Sequence, residues 1–255
     1  MHKEWKTNEG LTVFLCGAGL SAQSGIPTFR GPQGYWTIGS KEYRPQELAT
    51  FSAFQKMPED IWAWYLYRIF EYRKKQPNEG HRLIVQMEEK LGDHFCLVTQ
   101  NVDGLHKRAG QGPARLYEIH GNLEFARCSK ECSDKRVPVP EKAVENYKSP
   151  ALEDLACPKC GHWLRPHVLW FDECYNEKWY RYDSVHKQFK KMTRLVTIGT
   201  SGQTNLPTQI VSFAKANGIF HVDINPEETW ISNQSDVHLQ TTADKGLRTL
   251  LDLVT

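Results

Sequence analysis

Short apolar runs alternate along this chain with longer stretches in which apolar residues recur at helical spacing. This alternation predicts an α/β fold, with a parallel sheet covered by helices on both faces. The strands are predicted at 11–16, 94–99, 115–119, 167–171, 194–199, 219–224 and 236–240. The helices are predicted at 79–91, 175–192, 206–217 and 243–254.

Two regions interrupt the alternation. Residues 32–76 are rich in aromatic side chains and are predicted to be helical after Pro58. Residues 126–166 contain two close pairs of cysteines. We expect both regions to be insertions that form a smaller module beside the sheet.

A glycine-rich turn follows the first predicted strand, in the pattern Gly17-x-Gly19-x-x-Ala22. In dinucleotide sites the glycines permit a tight turn and the approach of a pyrophosphate, and the small third residue lets the helix pack on the strand. The N-terminus of the following helix would offer unpaired N–H groups to phosphate. A plain strand–helix corner produces the same short pattern, so the motif alone leaves both interpretations open.

Composition excludes several classes of protein. The 255 residues carry a formal net charge of +2, which gives no electrostatic reason to expect nucleic acid as a partner. No apolar run reaches the roughly 20 residues that span a bilayer, so we expect no membrane association. The first ten residues are polar and the first strand follows at once, so we expect no signal segment.

The cysteines give the strongest chemical indication. Cys128 and Cys132 form a C-x3-C pair, and Cys157 and Cys160 form a C-x2-C pair. Four thiolates in two pairs predict one tetrahedral, structural zinc ion (Zn2+), with no open position for chemistry. The alternative is four unrelated free thiols.

Three further cysteines make the total odd. Cys16 and Cys96 lie in predicted strands and are expected in the core, whereas Cys174 is left undecided. An odd number without an export signal favours a reducing compartment, and we expect the cytoplasm.

Several longer motifs resemble those of the sirtuins, which are NAD-dependent protein lysine deacylases. The resemblance covers about residues 11 to 250. It is carried by the two cysteine pairs and by GAGLSAQSGIPTFRG (17–31), TQNVDGLH (99–106), IHGN (119–122), GTS (199–201) and DIN (223–225).

The resemblance implies a Rossmann-type, doubly wound NAD-binding domain built from 1–34, 77–125 and 167–255. The small domain would combine a helical insertion, 35–76, with a zinc-binding module, 126–166. NAD as co-substrate and an acyl-lysine protein or peptide would enter the cleft between them. The oligomeric state is left open, with a monomer expected.

The resemblance also assigns catalytic roles. His120 would be the general base that helps a ribose hydroxyl attack, because a neutral imidazole accepts a proton near neutral pH. Asn101 would act with it. The products would be nicotinamide, free lysine and an O-acyl-ADP-ribose. A single histidine among ten is more often structural, and only the IHGN context favours catalysis.

NAD contacts follow from the same motifs. Asn101 and Asp103 would hold the nicotinamide carboxamide, and Gln100 would lie near its ribose. The alternative is that these residues form an Asx turn at the end of the strand. Phe29 would cover the reactive ribose and Arg30 would assist at the phosphates. The full set of expected NAD contacts adds Gly17, Ala18, Gly19, Ala22, Thr28, Trp36, Val102, Gly199, Thr200, Ser201, Asn225 and Ala243.

The acyl group is suggested by the helix after Pro58. Tyr65 and Arg68 are three residues apart and share a face, where a phenol and a guanidinium would bind a carboxylate. Sirtuins that remove succinyl, malonyl or glutaryl groups carry this pair and a small residue where Ala49 stands. The alternative is an amphipathic helix with an aromatic core face and a solvated arginine. Three residues are expected to line the acyl-lysine tunnel: Val168, Trp170 and Phe171.

One position departs from the sirtuin pattern. Asp172 stands where sirtuins usually have glycine, and we expect it to alter the backbone angle or to favour basic peptide residues. The aromatic segment 174–183 has no assigned role.

Two other functions stay open. One is an NAD-dependent ADP-ribosyltransferase or NAD glycohydrolase, which the presence of His120 disfavours. The other is a non-enzymatic zinc-binding adaptor or DNA-binding module, which the near-neutral charge disfavours.

Overall fold

The structure is a computed structural model that describes residues 10–27, 36–38 and 41–254, with the backbone alone at 36–38 and 41. Within these residues the strands are β1 Leu11–Cys16, β2 Trp36–Ile38, β3 Lys41–Tyr43, β4 Phe95–Thr99, β5 Leu116–Glu118, β6 Gly121–Cys128, β7 Arg136–Pro138, β8 Leu164–Val168, β9 Met192–Ile198, β10 Phe220–Ile224 and β11 Val237–Leu239.

The helices follow in the same order. They are α1 Gly19–Ala22, α2 Pro45–Leu48, α3 Phe51–Lys56, α4 Pro58–Arg73, α5 Glu79–Leu91, α6 Leu105–Arg108, α7 Glu141–Glu145, α8 Glu177–Tyr180, α9 Tyr182–Phe189, α10 Asn205–Ala216 and α11 Ala243–Leu251. Single 3-10 turns lie at Gly92–His94, Leu152–Asp154 and Ser232–Gln234. In this described part of the chain, no helix has the length and apolar character to cross a membrane.

The main sheet has six strands in the order β11-β10-β9-β1-β4-β5, and every neighbouring pair is parallel. Numbered along the chain, these strands lie in the order 6-5-4-1-2-3, which is the Rossmann order. The chain reverses direction across the sheet between β1 and β9. In such sheets ligands bind outside the carboxyl ends of the strands at this reversal.

Helices cover both faces of this sheet, as the alternation predicts. On one face Phe14 packs with residues of α5 and α11, for example Leu83 and Leu247. On the other face Leu15 packs with residues of α9 and α10, for example Val185 and Ile210. The fold is therefore α/β and doubly wound.

A second core belongs to the smaller module. It combines buried residues of α4, such as Trp62 and Leu66, with Cys128, Cys157 and Leu164. Three antiparallel strands, in the order β7-β6-β8, run through it.

Some predicted elements differ from those observed. The strand predicted at 167–171 lies at Leu164–Val168 and belongs to the small antiparallel sheet, not to the parallel one. The helix predicted at 175–192 is divided into α8 and α9, because Arg181 between them has a φ of +54°. The hairpin of β2 and β3 was not predicted. The proposed domain boundaries stay a prediction.

Candidate active site

The carboxyl ends of β1 and β9 meet through two glycines. A Cβ on Gly19 would lie 2.7 Å from the Cα of Gly199, so a side chain there would collide with backbone. The N–H of Gly19 donates to the Gly199 carbonyl at 2.8 Å, and the N–H groups of Leu20 and Ser21 donate to carbonyls of the preceding turn. The expectation that this helix start offers unpaired N–H groups is therefore wrong for these three residues. The glycine at position 19 is required by the approach of a second strand end.

Polar residues that follow neighbouring strands are brought together beside this contact. The amide Nε2 of Gln100, after β4, donates to the hydroxyl of Thr200, after β9, at 2.8 Å. The amide of Asn225, after β10, donates to the carbonyl of Thr200 at 3.2 Å. Three strands thus contribute hydrogen-bonding groups to one place at the carboxyl edge of the sheet.

A buried network lies deeper in the same place. The hydroxyl of Ser21 donates to the carboxylate of Asp103 at 2.7 Å and accepts a hydrogen bond from the amide of Asn101 at 3.1 Å. That amide also donates to the Gly17 carbonyl at 3.0 Å. Burial raises the pKa of Asp103, and the donors Leu105 N–H and Ser21 lower it. The network fixes both side chains that were expected to hold a carboxamide.

His120 lies between the two modules, at the turn from β5 to β6. The next residue, Gly121, has a φ of +88°, and a Cβ there would lie 2.0 Å from the carbonyl oxygen of His167. Only glycine fits this turn. The carbonyl of His120 accepts a hydrogen bond from Leu169 N–H at 2.9 Å, which joins the turn to the loop after β8.

The hydrogen bonds of the imidazole define its tautomer. Nδ1 lies 3.1 Å from the carbonyl oxygen of Gln100, which can only accept, so Nδ1 carries the proton. Burial lowers the pKa of His120 to about 4, against a smaller raising effect of the Gln100 carbonyl. The ring is therefore neutral near pH 7, and Nε2 is a hydrogen-bond acceptor. Nε2 lies 2.9 Å from the hydroxyl of Tyr175.

The residues expected around the acyl group lie in the second core. Ala49, Tyr65, Val168 and Trp170 are all buried there. The indole Nε1 of Trp170 donates to the Tyr65 hydroxyl at 2.8 Å. Burial raises the pKa of Tyr65 and the charge of Arg68 lowers it, so Tyr65 remains a phenol and keeps a proton to donate.

Arg68 lies on the same face of α4 as Tyr65. Its Nη2 donates to the hydroxyl of Tyr72 at 2.8 Å, and its guanidinium lies over the rings of Trp64 and Tyr72, 5.0 and 5.5 Å from their centroids. The arginine is only partly buried. Its positive charge is held near Tyr65 by aromatic neighbours.

Phe171 and Asp172 lie in the loop after β8, and the expected altered backbone angle at Asp172 is wrong. Phe171 is 57% exposed and does not join the buried cluster, although its N–H donates to the Ala49 carbonyl at 2.9 Å. The carboxylate of Asp172 accepts hydrogen bonds from the N–H groups of Phe51 and Ser52 at 2.7 and 3.0 Å. Positive φ values of non-glycine residues occur, within the described chain, at Glu131 and Arg181, so Asp172 has an ordinary backbone angle.

The four paired cysteines form one cluster. Their sulfur atoms all lie within 4.8 Å of one another, with Cys128 and Cys160 at 3.5 Å and Cys132 and Cys157 at 3.5 Å. Tetrahedral zinc with Zn–S bonds of about 2.3 Å needs sulfur atoms about 3.8 Å apart. The four thiolates therefore fit one zinc ion, with no place left for a water or a substrate.

The remaining expected residues have less defined surroundings. Ala18 and Ser201 are partly buried, Ala22 is exposed, and Val102 packs against the second core. Ala243 begins α11 beside the first turn, since Gln23 donates to the neighbouring Asp244 at 2.9 Å. Thr28, Phe29 and Arg30 lie outside the described residues, and Trp36 is described by its backbone alone.

The comparisons with known proteins agree with this architecture. A profile of the Sir2 family matches residues 17–205. The chain belongs to the Sir2 family. An NAD-dependent protein deacylase from Aquifex aeolicus is 39% identical over 244 residues, covering 94% of this chain and 93% of that protein. An NAD-dependent protein deacylase from Thermus thermophilus is 40% identical over 240 residues, covering 93% and 87%.

Solved Sir2 structures share the fold. A Sir2 homolog in complex with NAD has a TM-score of 0.81 and 34% identity, covering 97% of this chain and 90% of that one. A Sir2 bound to a p53 peptide and NAD+ has a TM-score of 0.79 and 28% identity, covering 96% and 94%.

Two residues of this Sir2 site were missed from the sequence. Ser21 lies between Gly19 and Ala22, and its place on a short helix beside the turn could have suggested an inward hydroxyl. Tyr175 stands in the aromatic segment 174–183, and no local pattern relates it to His120.

Proposed function

We propose that this Sir2 family chain is an NAD-dependent protein-lysine deacylase that accepts acyl groups ending in a carboxylate, such as succinyl and malonyl, as well as acetyl. The products are nicotinamide, the free lysine and an O-acyl-ADP-ribose. Sir2 relatives that this chain resembles over most of its length are named NAD-dependent protein deacylase.

The observation that carries the proposal is the neutral His120 beside the polar residues at the carboxyl edge of the sheet. Its protonated nitrogen, Nδ1, donates to the carbonyl of Gln100, the first of the polar residues after β4, and this leaves Nε2 as the acceptor. Bound NAD would supply an electrophilic ribose carbon and the nicotinamide leaving group, and the acyl oxygen of the lysine amide would be the nucleophile. Nε2 of His120 would take the proton of a ribose hydroxyl, as a general base does.

The network of Ser21 supports a role for its partners in binding nicotinamide. Asp103 offers acceptor oxygens and Asn101 offers an amide oxygen, which together match the donors of a carboxamide. The fixed hydrogen bonds of both side chains hold them in one orientation before a ligand binds, which lowers the entropy lost on binding.

The acyl preference follows from the pair on α4. The Tyr65 phenol accepts from Trp170 and so has its own proton to donate. The Arg68 guanidinium presents several N–H groups in one plane, a geometry that suits a carboxylate. Together they form a receptor for the distal carboxylate of a succinyl or malonyl group, in a core that an uncharged acyl group could also enter.

Zinc would hold the smaller module together through Cys128, Cys132, Cys157 and Cys160. All four positions of a tetrahedral ion would be filled by thiolates, so its role would be structural. Such thiolates persist in a reducing compartment, and we place the protein in the cytoplasm, as a monomer. Its partners would be acyl-lysine proteins or peptides, bound in the cleft beside the loop after β8.

The test is a panel of peptides that differ only in the acyl group on one lysine, assayed for nicotinamide release and for peptide mass. We expect the lysine to be unmasked, with kcat/KM higher for succinyl than for acetyl. A gain in the mass of the peptide product would instead indicate ADP-ribosyl transfer. Nicotinamide release that does not depend on any acyl peptide would indicate NAD hydrolysis.

The acyl receptor is tested separately with Arg68→Met and Tyr65→Phe. A charge-assisted hydrogen bond contributes about 1.5–3 kcal/mol, so Arg68→Met should lower kcat/KM on the succinyl peptide by roughly tenfold or more. The acetyl peptide is the matched control and should be affected much less. An intact succinyl rate in Arg68→Met would exclude the receptor.

A further inference from the structure

The acceptor nitrogen of His120 is already engaged within the protein. The hydroxyl of Tyr175 lies 2.9 Å from Nε2, and the two rings are stacked with centroids 6.0 Å apart and an angle of 29°. Because the proton of the neutral imidazole is on Nδ1, the phenol is the donor of this hydrogen bond. Burial raises the pKa of Tyr175, so its hydroxyl keeps the proton at neutral pH.

Two further groups lie beside the Tyr175 hydroxyl. The Tyr175 hydroxyl also meets the N–H of Leu206 and the hydroxyl of Thr204, which lower its pKa against the effect of burial. Thr204 donates to Oε1 of Gln100 at 3.2 Å, and the Gln100 carbonyl accepts from His120 Nδ1. Gln100 thus contacts Nδ1 of the imidazole, and Tyr175 contacts Nε2.

Tyr175 is held firmly by its neighbours in the chain. Before it, Glu173 forms an ion pair with the buried Arg165. After it, the side chain of Asn176 caps α8. The ring of Tyr182 stacks on Tyr175 with centroids 5.6 Å apart and an angle of 18°. The phenol is therefore directed at the imidazole by anchors on both sides.

We infer that Tyr175 is a positioning residue for the deacylation. Its phenol donates a hydrogen bond to Nε2 of His120 and is displaced from it by the ribose hydroxyl of bound NAD. The inference rests on the proposed function, because it requires His120 to be the base. A neutral imidazole has one acceptor lone pair, so the phenol and the ribose hydroxyl cannot both donate to it. Until the ribose arrives, the base is oriented and shielded from water.

The first measurement concerns the ligand-free protein. Long-range 1H–15N NMR on labelled histidine reports the tautomer of His120 and the hydrogen bond at Nε2. In the wild type we expect an Nδ1–H tautomer with a hydrogen-bonded Nε2, and in Tyr175→Phe we expect the Nε2 resonance to move to the position of an acceptor without that bond. Adding ADP-ribose to the wild type should replace the phenol and change the same resonance.

The second measurement is the affinity for ADP-ribose, which carries the relevant ribose hydroxyls. Because the ligand no longer has to displace the phenol, Tyr175→Phe should bind ADP-ribose roughly 3- to 10-fold more tightly, the worth of one neutral hydrogen bond. Tyr182→Phe is the matched control, since this tyrosine stacks on Tyr175 without bonding to His120. It should leave both the resonance and the affinity at their wild-type values.

The outcomes separate this inference from the proposed function. An Nε2 resonance that is the same in the wild type and Tyr175→Phe, or equal affinity of the two for ADP-ribose, overturns the role of Tyr175. Neither readout needs turnover. If His120→Asn is inactive while Tyr175→Phe changes nothing, the inference fails alone; if His120→Asn deacylates normally, the proposed base fails first.

Discussion

The carboxylate of Asp172 accepts a hydrogen bond from the backbone N–H of Phe51 at 2.7 Å, across 121 residues of sequence. A second bond from Ser52 completes the contact, so the aspartate satisfies two donors at the start of α3. The same stretch of chain joins Phe171 N–H to the Ala49 carbonyl. The loop after β8 is thereby attached to the segment that contains Ala49, one of the residues expected around the acyl group.

Replacing Asp172 should therefore loosen this attachment. Asp172→Ala removes two charge-assisted bonds at a helix start, and we expect it to lower the free energy of unfolding by about 1–2 kcal/mol. Asp172→Asn keeps an acceptor oxygen and should lose less. Urea unfolding of the three proteins measures the difference. Equal stability of Asp172→Ala and the wild type would show that the contact contributes nothing.

Ser21 is expected to matter for NAD binding as well as for folding. Ser21→Ala leaves Asp103 without one donor and Asn101 without one acceptor, which costs about 1–3 kcal/mol in a buried site. We expect kcat/KM for NAD to fall roughly tenfold or more. Ser24→Ala is the control, because the Ser24 hydroxyl meets the amide of Asn78 instead. Similar kinetics in the two variants would argue against the network.

The pH dependence of kcat/KM should report the buried state of His120. Burial lowers its pKa to about 4, so the imidazole stays neutral, and able to accept a proton, well below its usual range. The rate should stay level from pH 8 to about pH 5 and fall as pH drops through 4. An acid limb near 6.5, the value of an exposed imidazole, would contradict this assignment. His120→Asn should lower kcat roughly 100-fold or more at every pH.

Removal of zinc should unfold the smaller module. Cys128 and Cys157 are buried in the same core as Trp62, so loss of the ion should expose that core and change tryptophan fluorescence. We expect Cys157→Ser, or treatment with a chelator, to lower Tm by about 10 °C or more, which corresponds to several kcal/mol. Cys174→Ser is the control, since that cysteine is exposed and outside the cluster. Metal analysis confirms the loss of the ion.

Local features of the fold could be predicted from the sequence. The helix predicted at 79–91 is confirmed at Glu79–Leu91, because its apolar period is clear and Asn78 caps it. The cysteine cluster follows from two local spacings. The apolar run before Asp172 was placed in the wrong sheet, because such a run does not say which strands pair with it. The break at Arg181 was missed, because a left-handed arginine has no signature in the sequence.

The site could be predicted from the sequence only in part. Gln100, Asn101 and Asp103 stand together in the sequence, so their convergence could be expected. The contact of His120 with Tyr175 joins residues 55 positions apart, and that of Asp172 with Phe51 joins residues still further apart. Such pairs depend on how two modules pack, which hydrophobic periodicity does not determine.

The contact of Gly19 with Gly199 predicts which residues a related chain must keep in order to fold. The two turns leave no volume for a Cβ between them. A relative with this fold that no longer binds a cofactor would still need both glycines, because the two halves of the sheet meet at this contact. A related chain that retains both glycines but lacks the polar residues after β4 should therefore keep the fold and lack the activity.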